Sequence, residues 1–600
     1  MTQDILNTYR KNAANAQAEA NRFKKLANKY SLMRLGVFAL FIAGVSVGVA
    51  IDNFAVIAIT SILLISVFVA LVKRQSEFER ERDYFTDLVR INENEIANIE
   101  QYDNLYDDGD RFGNDKHFYT SDLDIFGKAS LFNLINRTAT VPGNNKLAVW
   151  LSAPADKQAI LQRQEALREL SRKSNWKLEL QALLLFAKTA DVAQLSNLVK
   201  YLGMPLDMPG ESWIKKYCRV APFITVVAII LSAYFGVKLV WLVAVFGHLG
   251  LVASRGAQIK KADLVIGKIG ATLGKYAQAF KKAEDEQWQS PYCAGLSNQL
   301  KEKQTSAEIK ELSVLINKFN SRLNMLVGAV LNIFFLWDLK QIIAIEEWKR
   351  ANKQNLADAF EVLAEYEALI SLASLHINYS HWAMPQIADG EAYTLAAKNI
   401  GHPLIQPNKR VVNSYELRDA FKVDIITGSN MAGKSTFLRT IGINTVLALC
   451  GAPVCADAME VSVVNIISYM RIKDSLNEST STFKAELDRL QMLLKAVGTI
   501  PKVFFLVDEM LRGTNSVDKY LGSKAVIEQL IAKNAVGMVA THDLQIARLE
   551  DKYPAYVSNY YFDIQVINGE MLFDYKLKHG ECKTFNASLL LKQIGINVAG

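Results

Sequence analysis

Cysteine is scarce and unpatterned in this chain of 600 residues: Cys218, Cys293, Cys450, Cys455 and Cys582 are scattered, odd in number, and form no CxxC pair. A disulfide framework and a thiolate metal site are therefore excluded as organising devices, and the thiols read as buried groups of a reducing compartment. Internal repeats and low-complexity tracts are absent, which sets aside solenoids and disordered linkers. Charge of one sign is in only slight excess. A net +7 over 600 residues gives a mildly basic surface that suits nucleic acid or anionic lipid and selects neither. What the chain has in surplus is apolar character: half its residues are hydrophobic and the mean hydropathy is +0.08. At 67.0 kDa it is too long for one core, so several domains are expected and the excess has to sit somewhere specific.

It sits in paired runs. Leu35 to Ile51 carries no charge, Asp52-Asn53 interrupts, and Phe54 to Val72 is apolar again. As helices these runs are about 25–29 Å long, enough to cross a hydrocarbon core of about 30 Å. Lys24, Lys25, Lys29 and Arg34 precede the pair and Lys73 and Arg74 follow it, so the pair reads as a hairpin (about residues 35–72) with both ends in the cytoplasm. Ala221 to Gly236 and Leu239 to Ala253 repeat the pattern, split by Val237-Lys238 and flanked by Lys215, Lys216 and Arg219, then Arg255, Lys260 and Lys261. This second hairpin (about 221–253) is shorter, and a buried core pair is its plain alternative. A signal peptide fits the first run poorly, because 34 residues precede it. Met325 to Trp337 is apolar but too short to span, and is expected to be a buried helix. The expected location is the inner (cytoplasmic) membrane, multi-pass, with lipid as a partner.

Between these runs the chain reads as helix. Residues 1–30 are polar and helix-prone, and 73–101 read as a charged, solvated stalk leaving the membrane. A loop rich in Asp and Gly follows at Tyr102–Asp115. Helical periodicity then dominates Asp124–Lys200, Ala257–Glu286 and Ser306–Ser374. From Tyr393 onward short β-rich runs alternate with helices, the sign of a parallel α/β domain. The expected division is 1–123 (N-terminal helix, hairpin and stalk), 124–390 (helical core interrupted by the second hairpin) and 391–600 (α/β domain).

The sharpest chemistry lies in the last part. Gly428-Ser429-Asn430-Met431-Ala432-Gly433-Lys434-Ser435 is a GxxxxGKS loop, with a strand-like run Lys422–Thr427 before it and a helical run Ser435–Leu449 after it. Both glycines let backbone N–H groups curl around phosphates, Lys434 reaches the β- and γ-phosphate oxygens, and Ser435 holds Mg²⁺. Thr436 extends the same phosphate-facing helix start. About 70 residues later Val503–Val507 is a buried-strand run ending at Asp508 and Glu509. Asp508 suits the Mg²⁺ shell, and Glu509 suits orientation of the attacking water. Met538–Asp543 is another strand run, ending at His542, placed to sense a γ-phosphate. Ser481-Thr482-Phe483 opens a helical pattern with Leu487, Leu490, Leu494 and Val497 as its apolar stripe. Its free N–H groups cap the helix or bind a phosphate supplied from outside. ATP and Mg²⁺ are the ligands expected.

Taken together, ITGSNMAGKSTFLR, STSTFKAEL, FFLVDEMLRGTNSVD and VATHD resemble the ATPase domain of the MutS family, relatives of ABC-type ATPases. Gly401-His402-Pro403-Leu404, Gly451–Ala456 and the closing segment Gly580–Gly595 follow the same order. Ser130–Thr138 through Arg163–Leu167 is similar to the family's helical core. The resemblance implies a homodimer with two composite ATP sites, each completed by the partner's Ser481-Thr482 segment, with Gly513-Thr514 and Asn515 to Asp518 at the interface. Two departures stand out: Ser479 replaces the glycine that mismatch-repair members carry ahead of STF, and Arg410-Val411 stands where the family places an aromatic against adenine.

Before Asp124 the chain offers no place for a mismatch-binding domain, and the second apolar hairpin occupies the slot of the DNA clamp. The resulting expectation is a membrane-anchored MutS-like ATPase that moves helical arms. The alternative is a DNA-binding protein of the mismatch-repair and recombination class. A transporter half fits least, lacking an LSGGQ-type signature. Lys260, Lys261, Lys268, Lys275, Lys281 and Lys282 form the remaining basic stretch, so any DNA binding is expected to be weak, salt-dependent and indifferent to mismatches.

Overall fold

The computed structural model describes residues 2–189, 197–198, 200–201, 208–236, 239–267, 269–352, 355–429, 431–470, 482–567 and 570–582. Its N-terminal part is helical and its C-terminal part an α/β sheet domain.

The chain opens with two long antiparallel helices, Thr2–Ala50 and Phe54–Gln101. The turn between them is set by Asn53, whose Oδ1 accepts the N–H groups of Ala55 and Val56 and so caps the second helix. Gly48 is needed at the tip, since a Cβ there would lie 2.4 Å from Ile57 Cγ1. Toward the tip the apolar side chains face outward: Phe54 is 83% exposed and Ile62 69%. Lower down, Phe23 stacks on Phe85 and Tyr30 meets Phe78 edge-on.

The stretch 73–101, expected to be a solvated stalk, is solvated only in its upper half. Val89, Ile91, Asn92, Asn94, Glu95 and Asn98 are buried, because the base of the hairpin is rooted in the helical body. Glu95 accepts from Arg137 at 2.9 Å through both carboxylate oxygens, from Lys177 at 3.3 Å and from Asn378 at 2.7 Å. Tyr9 of the first helix donates to Asn378 Oδ1 at 2.9 Å. Burial alone raises a carboxyl group's pKa, but Arg137 and Lys177 override it here and hold Glu95 well below the usual carboxylate range.

The body is organised around Asn355–Asn378, a helix buried along most of its length. The two long helical stretches expected from periodicity are broken. Ala257–Glu286 divides into Gly256–Ile266 and Ile269–Asp285 at Gly267, where a Cβ would meet Asp263 O at 2.5 Å. Ser306–Ser374 divides at Ser321–Asn324 and again at Leu336, a non-glycine residue with φ of 46°. Periodicity detects each helical face but not a change in its direction.

Among the described residues three helices are long and apolar enough to cross a membrane, the first two and Glu211–Phe235, or up to five spans if the bent pairs Val240–Ser254 with Gly256–Ile266 and Leu326–Phe335 with Trp337–Asn352 each count as one. Leu239–Ser254 runs beside Glu211–Phe235. Met325–Phe335, expected to be buried, packs against both yet leaves Leu326 79% exposed, with Val327 and Val330 also outward. Its outer face has no protein against it among the described residues.

Among the described residues ten strands follow in the C-terminal part: β1 (Gln386–Ala388), β2 (Tyr393–Ile400), β3 (Asn413–Ala420), β4 (Val423–Thr427), β5 (Ala458–Ser462), β6 (Asn465–Tyr469), β7 (Val503–Asp508), β8 (Val536–Ala540), β9 (Val557–Ile567) and β10 (Glu570–His579). A small sheet has the order β1-β5-β2-β3, and the main sheet the order β10-β9-β4-β8-β7-β6. The main sheet is parallel except for β10, which pairs antiparallel with β9. β4, β7 and β8 are buried throughout, which is why they read as unbroken apolar runs: helices cover both faces of a parallel sheet. Helix Thr482–Thr499 presents Leu490, Leu493 and Ala496 to the core, while Leu487 is 41% exposed. The stripe is thus rotated from the one expected, with Leu494 and Val497 at its edge.

Candidate functional site

β4, β8 and β7 are neighbours in that order and run parallel, so their carboxyl ends open on one edge of the sheet. Ligands bind at such an edge in open α/β sheets. β4 delivers the glycine-rich loop and then the helix Lys434–Cys450. Gly428 has φ of 141°, and a Cβ there would lie 2.7 Å from Phe562 O; Gly433 has φ of 105°. Both conformations suit glycine. Lys434, 4% exposed, donates from Nζ to the carbonyls of Gly428 and Ser429 at 2.8 Å each. Burial lowers its pKa against the pull of Glu509 and Asp508.

β7 ends at Asp508, 5% exposed. Burial raises the Asp508 carboxyl group, opposed by a hydrogen bond to Ser435, so the hydroxyl after the loop lysine and the carboxylate of β7 meet. Glu509 lies past the strand end at φ of 52°, and its N–H donates to Ala540 O of β8 at 3.0 Å. This tie aims the Glu509 side chain across β8. His542 Nδ1 is 3.1 Å from Glu509 Oε1, and Arg512 Nε is 3.4 Å from Glu509 Oε2. The close approach of His542, with Arg512 and Lys434 nearby, pulls the Glu509 carboxyl down to about 2. Nε2 of His542 lies 3.3 Å from Lys519 Nζ. Lys434, Ser435, Asp508, Glu509 and His542 thus converge from three adjacent strands.

Beside them is a cavity of about 460 Å³ lined by Ser429, Met431, Ala432, Gly433, Thr436 and Glu509, and on its far side by Ile400, Val411 and Tyr575. Asn430 and Ser479 to Ser481 lie outside the described residues, as does the side chain of Thr482 and the closing segment from residue 583. Arg410 turns away from the cavity, with its guanidinium donating to Ile405 O at 2.7 Å and to Tyr102 Oη at 3.1 Å. An aromatic reaches the cavity from elsewhere. Tyr575, on β10 and with φ of 50°, sits where the β9–β10 register shifts between Phe573 and Leu577, and a bulge of this kind re-aims a side chain. Sequence reasoning missed Tyr575, because a tyrosine in an edge strand carries no pattern of its own. Arg512 carries no pattern of its own within FFLVDEMLRGTNSVD; its position three residues after Glu509, in the loop leaving β7, is the signal that points to it.

A strap from the helical part crosses this domain. Asp122 accepts from Ser468 Oγ at 2.7 Å and from Met470 N at 3.2 Å and lies 3.5 Å from Arg489. Asp124 pairs with Arg439 at 3.3 Å. Leu123 lies over Gly442, where a Cβ would come within 2.7 Å of it. The strap therefore grips the helix behind the glycine-rich loop and the helix that begins at Thr482.

An all-but-one parallel sheet thus carries a glycine-rich strand–loop–helix on one strand and two carboxylates at the end of a nearby one. The family model for MutS domain V matches residues 424–599. DNA mismatch repair protein MutS from Granulibacter bethesdensis is 30% identical over 247 residues, 40% of this chain and 26% of that protein. DNA mismatch repair protein MutS from Aquifex pyrophilus is 29% identical over 287 residues, covering 47% and 32%. MutS protein homolog 4 of Mus musculus is 28% identical over 236 residues, covering 37% and 24%. The C-terminal region of this chain is thus similar to MutS proteins, and the chain spans between about a quarter and a third of the length of these relatives.

Proposed function

We propose that this protein is a membrane-anchored, homodimeric ATPase that binds and hydrolyses ATP at the sheet edge to move its helical arms. The observation that carries the reading is the meeting of Lys434, Ser435, Asp508, Glu509 and His542 at the ends of three adjacent strands. A phosphate chain in the loop would take over the Lys434 ammonium from the carbonyls it now caps. The Ser435 hydroxyl and Asp508 carboxylate are hard oxygen donors that fit Mg²⁺, which when bound neutralises charge on the β- and γ-phosphates. Glu509, held ionised by His542 and Arg512, is the residue that orients and polarises the attacking water. Tyr575 and Val411 offer apolar surface for the base. ATPase activity is general to the family, which supports the same reading.

The dimer rests on the family resemblance and on apolar side chains left outside around the site: Met431, Leu487, Val517 and Leu521 are all more than 40% exposed. The anchor rests on the outward-facing hairpin tip and its basic flanks. A DNA role is the weaker alternative. Of the lysines in the basic stretch, Lys281 pairs with Asp285, Lys282 with Glu179, and Lys275 lies over Phe186, while Lys268 lies outside the described residues.

The deciding experiment compares two variants of the full chain in lipid. Lys434→Ala is expected to lose ATP binding. Glu509→Gln is expected to keep binding, lose about 100-fold or more in turnover, and accumulate a tight dimer with ATP. Unchanged steady-state hydrolysis in Glu509→Gln would refute the assignment. Affinity for a mismatched over a matched duplex of about tenfold, 1.4 kcal/mol, persisting at high salt, would favour the DNA reading instead.

A further inference from the structure

The excursion from Lys318 to Trp337 leaves the helical body and returns to the place it left. Trp337 Nε1 donates to Lys318 O at 2.7 Å, and Arg322 lies 2.7 Å from Asp263 and 4.0 Å from Asp338. Between these ties runs the apolar helix Met325–Phe335, which meets the next helix at a bend of 77°. An 11-residue helix is about 16 Å long, half of a hydrocarbon core of about 30 Å. A segment of that length with joined ends cannot cross a bilayer.

Its inner face is pinned by a polar contact. Leu336 ends the helix, so Ile333 O is among the last carbonyls lacking an intrahelical partner. His248, 1% exposed, places Nδ1 at 2.7 Å from that oxygen, and its Nε2 lies 3.0 Å from Tyr217 Oη. An exposed loop would leave such a carbonyl to water; satisfying it from a side chain is what a site without water requires. The outer face is hydrocarbon, Leu323, Leu326, Val327 and Val330. The two helices it packs against also carry exposed apolar side chains, Phe223, Ile230, Val243 and Phe246. Exposed Lys216, Arg219, Lys260, Lys261 and Lys340 flank these apolar segments along the chain, a charge pattern complementary to anionic headgroups.

We propose that Leu323–Phe335 is a re-entrant element, inserted into one leaflet beside the second apolar hairpin and returning to the same side, with bilayer hydrocarbon as the occupant of its exposed face. This rests on the membrane reading above. The test uses the full chain in vesicles of phosphatidylcholine and phosphatidylglycerol. An environment-sensitive fluorophore is attached to Leu326→Cys, to Leu63→Cys in the first hairpin, or to Glu302→Cys on the body, with the unsubstituted chain as control for its buried thiols. Leu326 is expected to lose fluorescence to a nitroxide placed shallow in the acyl chain more than to a deep one, and Glu302 to neither. Lys318→Cys and Lys340→Cys are expected to react with an impermeant thiol reagent from the same side. Quenching at Leu63 but not at Leu326 overturns this inference and leaves the anchor intact. Quenching at neither overturns the anchor as well. Reaction of Lys318→Cys and Lys340→Cys from opposite sides would make the element a full span and also overturn the proposal.

Discussion

At the carboxyl ends of β4, β7 and β8 the molecule buries charge, with Lys434 and Asp508 at 4% and 5% exposure; at the tip of its first hairpin and along Met325–Phe335 it exposes hydrocarbon, with Phe54 at 83% and Leu326 at 79%. Either arrangement is unfavourable in a water-soluble domain, where buried charge requires a partner and large apolar patches mark a contact surface. The two regions invert the usual distribution in opposite directions; under the proposed function a phosphate chain would partner the first and lipid the second. They are also physically joined. The hairpin is rooted through Glu95, Arg137, Lys177 and Asn378 in the helical body, and the strap at Asp122 and Asp124 runs from there onto the helices behind the glycine-rich loop and after Thr482.

Breaking the junction tests whether the two regions depend on one buried network. Glu95→Gln leaves Arg137 and Lys177 together without their anion, and should cost about 3–5 kcal/mol of stability, read by denaturant unfolding in detergent. The sign with pH follows from the depressed folded-state pKa. The carboxylate contributes stability above its ordinary value near 4.5, and that contribution fades as pH falls below it, so Glu95→Gln should flatten the acid limb of the stability profile. An unchanged acid limb would show that the ion cluster does not hold the hairpin base.

A smaller effect sharpens the description of the chemical end. If Tyr575 stacks on the base, Tyr575→Ala should weaken ATP by roughly 1 kcal/mol, about fivefold in KM, with little change in kcat. A fall in kcat with KM unchanged would instead place Tyr575 against the reacting groups. The smallest effect is expected from the apolar end. Deleting residues 35–72, so that Arg34 joins Lys73 through a short turn, should leave ATP turnover within about twofold, since distant sites act independently, while weakening retention in carbonate-washed membranes. A large loss of turnover would mean that the tip is part of the engine and would dissolve the contrast between the regions.

The glycine-rich loop, the Asp508-Glu509 pair and His542 were legible because each is a local event, a strand run followed at once by the residue that carries chemistry. Their convergence was not, since it depends on β8 lying between β4 and β7. Tyr575 was hidden for a related reason: a bulge in β10 aims it, and bulges leave little trace in hydropathy. The charged stretch 73–101 misled because a charged residue looks the same in sequence whether water or Arg137 and Lys177 surround it. Met325–Phe335 misled in the opposite sense, its apolar residues looking the same whether protein or another medium covers them.

By itself the sequence determined what short-range physics controls: where apolar runs are long enough to form hairpins, where glycine permits a loop around phosphate, and where buried parallel strands begin and end. Tertiary structure alone decided which side chains share a site, which charges are neutralised in the interior, and which apolar helix is left uncovered. Those outcomes turn on contacts between residues hundreds of positions apart, such as Tyr9 with Asn378 and Asp124 with Arg439, and no window of sequence contains both members of such a pair.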